Sequence, residues 1–569
     1  VSMEEMSRCI HCTRCVRFGQ EVAGVMELGM SHRGEHAEIE TFIGQSVDSE
    51  LSGNMIDICP VGALTSKPFR YSARTWELSR RKSVSPHDST GANLVVQVKN
   101  NQVMRVVPLE NEAVNECWIA DRDRFSYEAL NGPDRLTSPM IKQGGEWKAV
   151  DWQTALEYVA NGLKQIKSNH GANRIGALIS PHSTLEEMAL TKTLIQGLGS
   201  ESVDFRLRHA EFSSTQKVPY LGTSIASLTT LQRVLVIGSN LRKDHPLFAQ
   251  RIRQATKAGA QVHAIVDSHA DWALPLSTSQ VVESAVWVQT LADIAVALAE
   301  MNGVAAPAAG TSTEAAKSVA KSLSTGERKA ILLGNAAAHH AKSSSLVAIA
   351  SWLAAQTGAS IGYLTEAANT VGGYAVGALP TGDGFHAGQM LTGALKAAIL
   401  VNVEPEFDTA VGAASKQGLM GAEMVVTLSP FKCNLSFSDV LLPIAPFTET
   451  SGSFVNAEGR VQSFHAVVKP LGETRPAWKV LRVLGNLMSV QGMEFDSSQE
   501  VLASLESVGI QAGSVAADRL GLSVSGAIDL TPAEVRPVVA SIYQLDGLVR
   551  RSSSLQLTAD ARAAHEVAA

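Results

Sequence analysis

Aromatic residues make up only 5% of this 569-residue chain, and there are just six cysteines. So few cysteines, with no apolar signal-like stretch in the first residues, argue against a disulfide-built secreted framework and fit a reducing compartment. An excess of positive charge is also missing. The formal net charge is −7 and the pI is near 6.1, which excludes the footprint of a nucleic-acid partner. No uncharged run is apolar enough to read as a membrane span. The longest, Ser343 to Leu364, is rich in serine, glycine and alanine and contains Gln356. It predicts a buried helix followed by a loop, so any attachment to a membrane runs through partners. Neither G-x-G-x-x-G nor a Walker-type lysine motif occurs. What is there is ordinary for a large soluble protein: 45% hydrophobic and 18% charged residues, in a chain long enough for roughly three or four domains.

Four of the six cysteines form one pattern. Cys9, Cys12 and Cys15 are spaced C-x2-C-x2-C, and Cys59 is followed directly by Pro60. This is an iron–sulfur ligand set: the triplet can wrap three thiolates around one cubane, and the fourth must come from elsewhere. The next step after Cys15 gives Phe18 and Gly19, so the local run stops at three, and the proline after Cys59 fixes the backbone as it leaves the site. Zinc is the alternative, since four thiolates also suit a tetrahedral structural site, although zinc ribbons usually carry two C-x2-C pairs. Arg8, Arg14 and Arg17 would offset the negative charge of a thiolate cluster. His11 reads as solvent-facing or supporting rather than as a ligand. Cys117 and Cys433 stand alone and read as buried small apolar residues.

Ser7 to Phe18 and Cys59 to Thr65 closely resemble the large iron–sulfur subunit (G-type) of bacterial respiratory complex I, NADH:quinone oxidoreductase. The resemblance implies that Cys9, Cys12, Cys15 and Cys59 hold an all-cysteine [4Fe–4S] cluster. It implies an electron-transfer subunit of the peripheral arm, passing electrons from NADH and FMN towards quinone, with proton translocation coupled in the whole complex and no catalytic residue on this chain. The implied partners are the flavin- and NADH-binding subunit, the [2Fe–2S] subunit and the quinone-side iron–sulfur subunits, at the cytoplasmic face of the bacterial inner membrane. In that family a [2Fe–2S] cluster and a second, His/Cys3-ligated [4Fe–4S] cluster are held upstream of this motif. The chain begins at Val1 without that region, so an N-terminal portion carrying both clusters is expected to be missing.

The expected fold class is a multidomain α/β chain. Residues 1–78 form the [4Fe–4S] domain, with a helix over Val16–Met30 that breaks at glycines and a short strand and loop within Phe42–Leu51. Residues 79–136 form a β-rich subdomain in which Asn100-Asn101 joins two strands as a hairpin turn. Just before it, the segment from Ser85 to Ala92 resembles the C-x2-C-x3-C loop of molybdopterin oxidoreductases with every cysteine replaced. The positions are Ser85, Asp88 and Ala92, with Ala120 as the fourth, so that extra cluster is expected to be absent. Residues 137–494 alternate apolar strands with helices, which predicts parallel sheet covered on both faces. This body, with the segment from Phe447 to Gln462, resembles molybdopterin oxidoreductases, and no molybdopterin is expected in it. Residues 495–569 read as a polar, helix-rich region in which Ile542 to Arg551 is a docking segment or a final packed helix.

Three features invite chemistry and read more simply as structure. The Ile237–Asn240 strand-then-glycine loop is a turn rather than a phosphate cradle. His339 and His340 are adjacent and point apart. Glu449, Glu458 and Arg460 make ion pairs within a loop, with no nucleophile beside them. Two other functions stay open: an active molybdopterin oxidoreductase, for which Cys433 is the only body cysteine, and a zinc-bound structural scaffold.

Overall fold

A computed structural model describes residues 1–42, 45–524 and 526–568. Near the N-terminus one helical turn, Arg14–Phe18, continues as a π-type turn, Gly19–Ala23, and stops at Gly24, whose φ of 82° ends the helix. β1 (Leu28–Ser31) and β2 (Glu38–Thr41) then pair antiparallel. The expected helix therefore ends before Met30, which lies in β1. No strand falls among the described residues of Phe42–Leu51; the strand is β2, just upstream, and residues 43 and 44 lie outside the described set. The helix Asn54–Ile58 leads directly into Cys59.

β3 (Ser79–Val84), β4 (Asn93–Lys99) and β5 (Gln102–Pro108) form an antiparallel sheet. Asn100 and Asn101 both adopt left-handed φ, 51° and 61°, as a two-residue turn between right-twisted strands requires. Leu94, Val96 and Val106 from this sheet pack in one core with Phe18, Met55 and Leu64 of the cysteine domain.

The body opens with the hairpin of β6 (Met140–Gln143) and β7 (Glu146–Ala149), then β8 (Ile175–Ile179) and the short β9 (Val203–Asp204). A second unit comes next: β10 (Arg233–Ile237), β11 (Gln261–Val266), β12 (Thr278–Val281), β13 (Lys329–Leu333) and β14 (Ser360–Tyr363). These make a five-stranded, wholly parallel sheet in the order β12-β11-β10-β13-β14. The chain then returns to the first sheet with β15 (Ala397–Val401), β16 (Met424–Ser429) and β17 (Val440–Pro443). That sheet has seven strands, ordered β7-β6-β17-β16-β15-β8-β9, and is parallel except where β6 meets its neighbours. The body predicted as one run of strand–helix units is thus two sheets, one nested in the sequence of the other.

Both sheets are covered on both faces. Alternate residues of β8, Ala177 and Ile179 against Leu178, enter different apolar cores. In β10, Leu235 and Ile237 face one core while Val234 and Val236 face another. Each fully buried aliphatic side chain contributes about 1.5–3 kcal/mol. The helix Ser343–Thr357 is buried as predicted, but it leads into β14 rather than a loop. The stretch Ser284–Asn302 is long and apolar enough to cross a bilayer by length and composition, yet Trp287, Leu291 and Leu298 on it are buried in the core beside the five-stranded sheet.

The helix Leu185–Gly197 starts with a capping box. Thr184 Oγ1 accepts from the Glu187 N–H, and the Glu187 carboxylate accepts from the Thr184 N–H. Glu186 and Glu187 are buried rather than solvated at the helix start. Burial pushes both carboxyls up to about 7. The C-terminal region is less helical than predicted: residues 516–546 hold no helix or strand among the described residues, and short helices resume at Gly547–Arg550, Ser553–Gln556 and Ala559–Ala568.

Candidate iron–sulfur centre

The loop from Cys9 to Cys15 curls because His11 and Thr13 take left-handed φ, 53° and 56°. The His11 N–H donates to Cys9 Sγ at 3.4 Å. Cys15 then enters the helical turn Arg14–Phe18. Cys59 closes the helix Asn54–Ile58, and the chain beyond it turns back at Gly62, with φ 64°. Two contacts hold the segments together. Ser2 and Thr65 exchange both backbone hydrogen bonds, at 2.8 and 3.0 Å. Arg8 lies over Gly62, where an added Cβ would meet its Nη1 at 3.9 Å. Cys9, Cys15 and Cys59 lean on the core that contains Phe18 and Leu64, while Cys12 and His11 are exposed.

The electrostatics differ between the two segments. Burial pushes the Cys15 thiol up, and the nearby Cys9 and Cys12 push it further. Burial also raises the Cys59 thiol, but backbone N–H groups of Leu64, Val61, Ala63 and Gly62 outweigh it and hold Cys59 below the ordinary thiol value. A lowered thiol value favours the thiolate, the form that binds iron or zinc. Among the described residues no three His, Cys, Asp or Glu side chains stand in finished metal-binding geometry. The donor set, four cysteines on two adjoining segments, nevertheless suits a thiolate-ligated cluster. Arg8, Arg14 and Arg17 are at least partly exposed around it, and Arg8 pairs with Glu5 at 3.3 Å.

Three family models match consecutive parts of the chain. Residues 1–65 match the ferredoxin-like domain of NADH-quinone oxidoreductase subunit 3. Residues 78–128 match the NADH-ubiquinone oxidoreductase NDSU1/NuoG-like 4Fe-4S domain, and residues 135–487 match molybdopterin oxidoreductase. The G subunit of NADH-quinone oxidoreductase from Rickettsia felis is 31% identical over 508 residues, covering 88% of this chain and 69% of that protein. This chain belongs to the G-subunit family. The potato (Solanum tuberosum) mitochondrial NADH dehydrogenase (ubiquinone) iron–sulfur protein 1 is also 31% identical, over 96% of this chain and 70% of that protein. The 75 kDa subunit of Reclinomonas americana is 29% identical over 87% of this chain and 70% of that protein. Acetylene hydratase from Pelobacter acetylenicus shares the fold, with a TM-score of 0.52 at 14% identity, covering 77% of this chain and 74% of that one. As a G-subunit chain, the protein is a component of an oxidoreductase complex, and its molybdopterin-oxidoreductase-like body accounts for the two α/β sheets.

In this G-subunit chain the four positions of the altered cysteine loop, Ser85, Asp88, Ala92 and Ala120, are all fully buried. They sit in a polar network. Ser85 Oγ donates to Asp123 at 2.5 Å. Arg122 donates to Asp88 at 2.5 Å and to the Asp244 carbonyl at 2.8 Å. The His87 ring lies between Asp546, at 2.6 Å, and Ser126 Oγ, at 2.8 Å. Burial disfavours charge on His87, but the Asp546 carboxylate outweighs it and raises the imidazole above its usual value. The missing thiols are legible in the sequence, but this network is not, because Asp546 comes from the far end of the chain.

Cys433 is buried as expected, and burial pushes its thiol up to about 12. Cys117 is a correction: it is exposed, on a turn beside Glu116, Glu112 and Glu110, which push its thiol up after burial does. His339 and His340 diverge, bonding to the carbonyls of Val538 and Ser284 respectively. Gly238 sits at φ 64° where a Cβ would meet the Ala337 N–H and Trp287 at 2.7 Å, so the Ile237–Asn240 loop is a tightly packed turn. Glu458 pairs with Arg460 inside its own segment, at 2.7 Å, whereas Glu449 reaches out to Arg135, at 2.8 Å.

Proposed function

We propose that Cys9, Cys12, Cys15 and Cys59 hold one [4Fe–4S] cluster, and that this chain serves as an electron-transfer subunit in the peripheral arm of NADH:quinone oxidoreductase. The observation that carries the reading is the four-cysteine pattern, on two segments that the Ser2–Thr65 backbone pair and one shared core hold side by side. When bound, such a cluster accepts and releases one electron at a time. The protein's own residues do the rest. The Val61–Leu64 amides stabilise a thiolate at position 59. Arg8, Arg14 and Arg17 offset negative charge at the site. The core under Cys9, Cys15 and Cys59 keeps water from one side, and Cys12 faces outward.

No residue of this chain is assigned bond-making chemistry. Electrons arrive from the flavin- and NADH-binding subunit and the [2Fe–2S] subunit, and leave through the quinone-side iron–sulfur subunits. Proton translocation belongs to the whole complex. The subunit reaches the membrane through these partners, at the cytoplasmic face of a bacterial inner membrane. One cluster is proposed here because Ser85, Asp88, Ala92 and Ala120 supply no thiolate.

The test is anaerobic iron and acid-labile sulfide analysis with low-temperature EPR after dithionite reduction. About four irons and four sulfides with a single reduced cubane signal are expected. About eight irons would show that the altered loop still holds a cluster. Zinc in place of iron, after strictly anaerobic preparation, would overturn the electron-transfer role.

A further inference from the structure

Open α/β sheets take ligands outside the C-terminal ends of their parallel strands. In this protein that region of both sheets is crossed by the chain's own C-terminal segment. Pro537 and Val539 line a cavity with Gly238, Ser239 and Asp267, which follow β10 and β11. The Val538 carbonyl accepts from His339 Nδ1 at 2.7 Å. Asp546, Gly547 and Leu548 line a second cavity with His182, Asn402 and Phe431, which follow β8, β15 and β16.

The segment is held by charge as well as shape. Arg551 donates to both carboxylate oxygens of Glu404, at 2.6 and 3.1 Å, and lies over the Phe431 ring at 4.5 Å. Arg550 donates to Asp408 at 2.8 Å and lies over Phe407 at 5.1 Å. All four charged side chains are at most 17% exposed. Asp546 anchors the same stretch to His87. Ile542, Tyr543 and Val549 bury themselves beside Phe125.

We propose that residues 537–551 act as a built-in strap: they wall two of the cavities at the C-terminal strand ends, one after β10 and β11 and one after β8, β15 and β16, and shut them to small molecules, while the cavity lined by His182, Arg208, Asn335 and Glu366 lies beyond the strap. Bidentate arginine–carboxylate pairing gives it geometric specificity. Losing one partner leaves the other as an uncompensated buried charge, so the strap and the acidic cleft floor depend on each other.

Cys433 reports on the strap, because its thiol lies among Glu404, Arg550 and Arg551 and is 7% exposed. The exposed Cys117 is an internal standard. The experiment treats the full chain, with its cluster reconstituted, with a maleimide and maps both cysteines by mass spectrometry. In the unaltered chain Cys117 labels and Cys433 does not. In Arg550→Ala/Arg551→Ala, Cys433 labelling is expected to accelerate by roughly a hundredfold, the population change that accompanies loss of a buried charged partner, with iron content and the Cys117 rate unchanged. Continued protection of Cys433 in that variant overturns the proposal. If the double variant does not fold, Glu404→Gln removes the charge while keeping the shape; Cys433 must label there too, and its protection would equally overturn the strap.

Discussion

Asp88→Asn is the substitution that most directly tests the polar network around the altered cysteine loop. Asp88 and Arg122 are 1% and 2% exposed and stand 2.5 Å apart. Without the carboxylate, Arg122 keeps the Asp244 carbonyl as a hydrogen-bond partner and the Asp123 charge nearby. Removing one member of a buried pair costs about 3–5 kcal/mol, a large part of the roughly 5–15 kcal/mol that holds a domain folded. A chain of several domains has no single unfolding midpoint, so the assay is native-state hydrogen exchange of the β3–β5 amides. Their protection is expected to fall by about two to four powers of ten. Asp88→Asn/Arg122→Gln removes both charges and is expected to recover more than half of the loss. A fall of less than about tenfold, or a double variant worse than the single one, would refute the reasoning. The pH dependence has a definite sign. Burial raises the Asp88 carboxyl, but Arg122 pulls it below its ordinary 3.8. The pair's contribution is therefore present above 3.8 and is lost as pH falls through the lower folded value, so the wild-type advantage shrinks in acid.

Cys59→Ala is expected to lower bound iron to less than half, while Cys117→Ala leaves it unchanged; iron analysis of the two side by side decides. Glu186 is buried with its carboxyl raised from 4.5 to about 7, so stability falls as pH climbs through that window. Glu186→Gln should then stabilise the body by up to about 3 kcal/mol at about pH 8 and by little at about pH 4, as read by exchange in the helix Leu185–Gly197. Asn100→Val forces a β-branched residue into left-handed φ and is expected to cost about 1–2 kcal/mol, whereas Asn100→Gly stays within a few tenths. Exchange rates in β4 and β5 would separate these outcomes, and equal effects of the two substitutions would count against the turn assignment.

Local rules carried well from sequence to structure. Asn100-Asn101 named its own turn, and the apolar runs of β8, β10, β11, β13 and β15 became buried parallel strands. The Thr184-x-x-Glu187 pattern marks the start of the helix Leu185–Gly197, with Thr184 as its cap. The spacing of the four cysteines is legible in the chain, and the fold joins the segments that carry them through the Ser2–Thr65 backbone pair. Long-range partnerships were not legible. Nothing in the runs themselves says that β8 pairs with β15 rather than with β10, so one α/β body was read where two sheets exist. The β2 strand, with one buried residue in four, carries too weak an alternation to place, and the expectation slid onto the following loop. Cys117 was assigned to the interior by residue type, but its acidic neighbours keep the turn at the surface. Residues 516–546 have no periodicity because the segment lies across other elements instead of presenting one face to a core. Its anchors, Asp546, Arg550 and Arg551, look like solvated charges until Glu404, Asp408 and His87 are seen beneath them.

The nesting of one sheet inside the other sets a timetable for synthesis. β8 cannot meet β15 until everything from β10 to β14 has left the ribosome. At about 5–20 residues per second the intervening stretch takes roughly ten to forty seconds. The five-stranded sheet is contiguous in sequence and can close in that interval. Throughout it, β8, five apolar residues from Ile175 to Ile179, has no strand on one side, the kind of edge that invites pairing with another chain. The nascent subunit is thus most vulnerable to aggregation while its inner sheet is already complete.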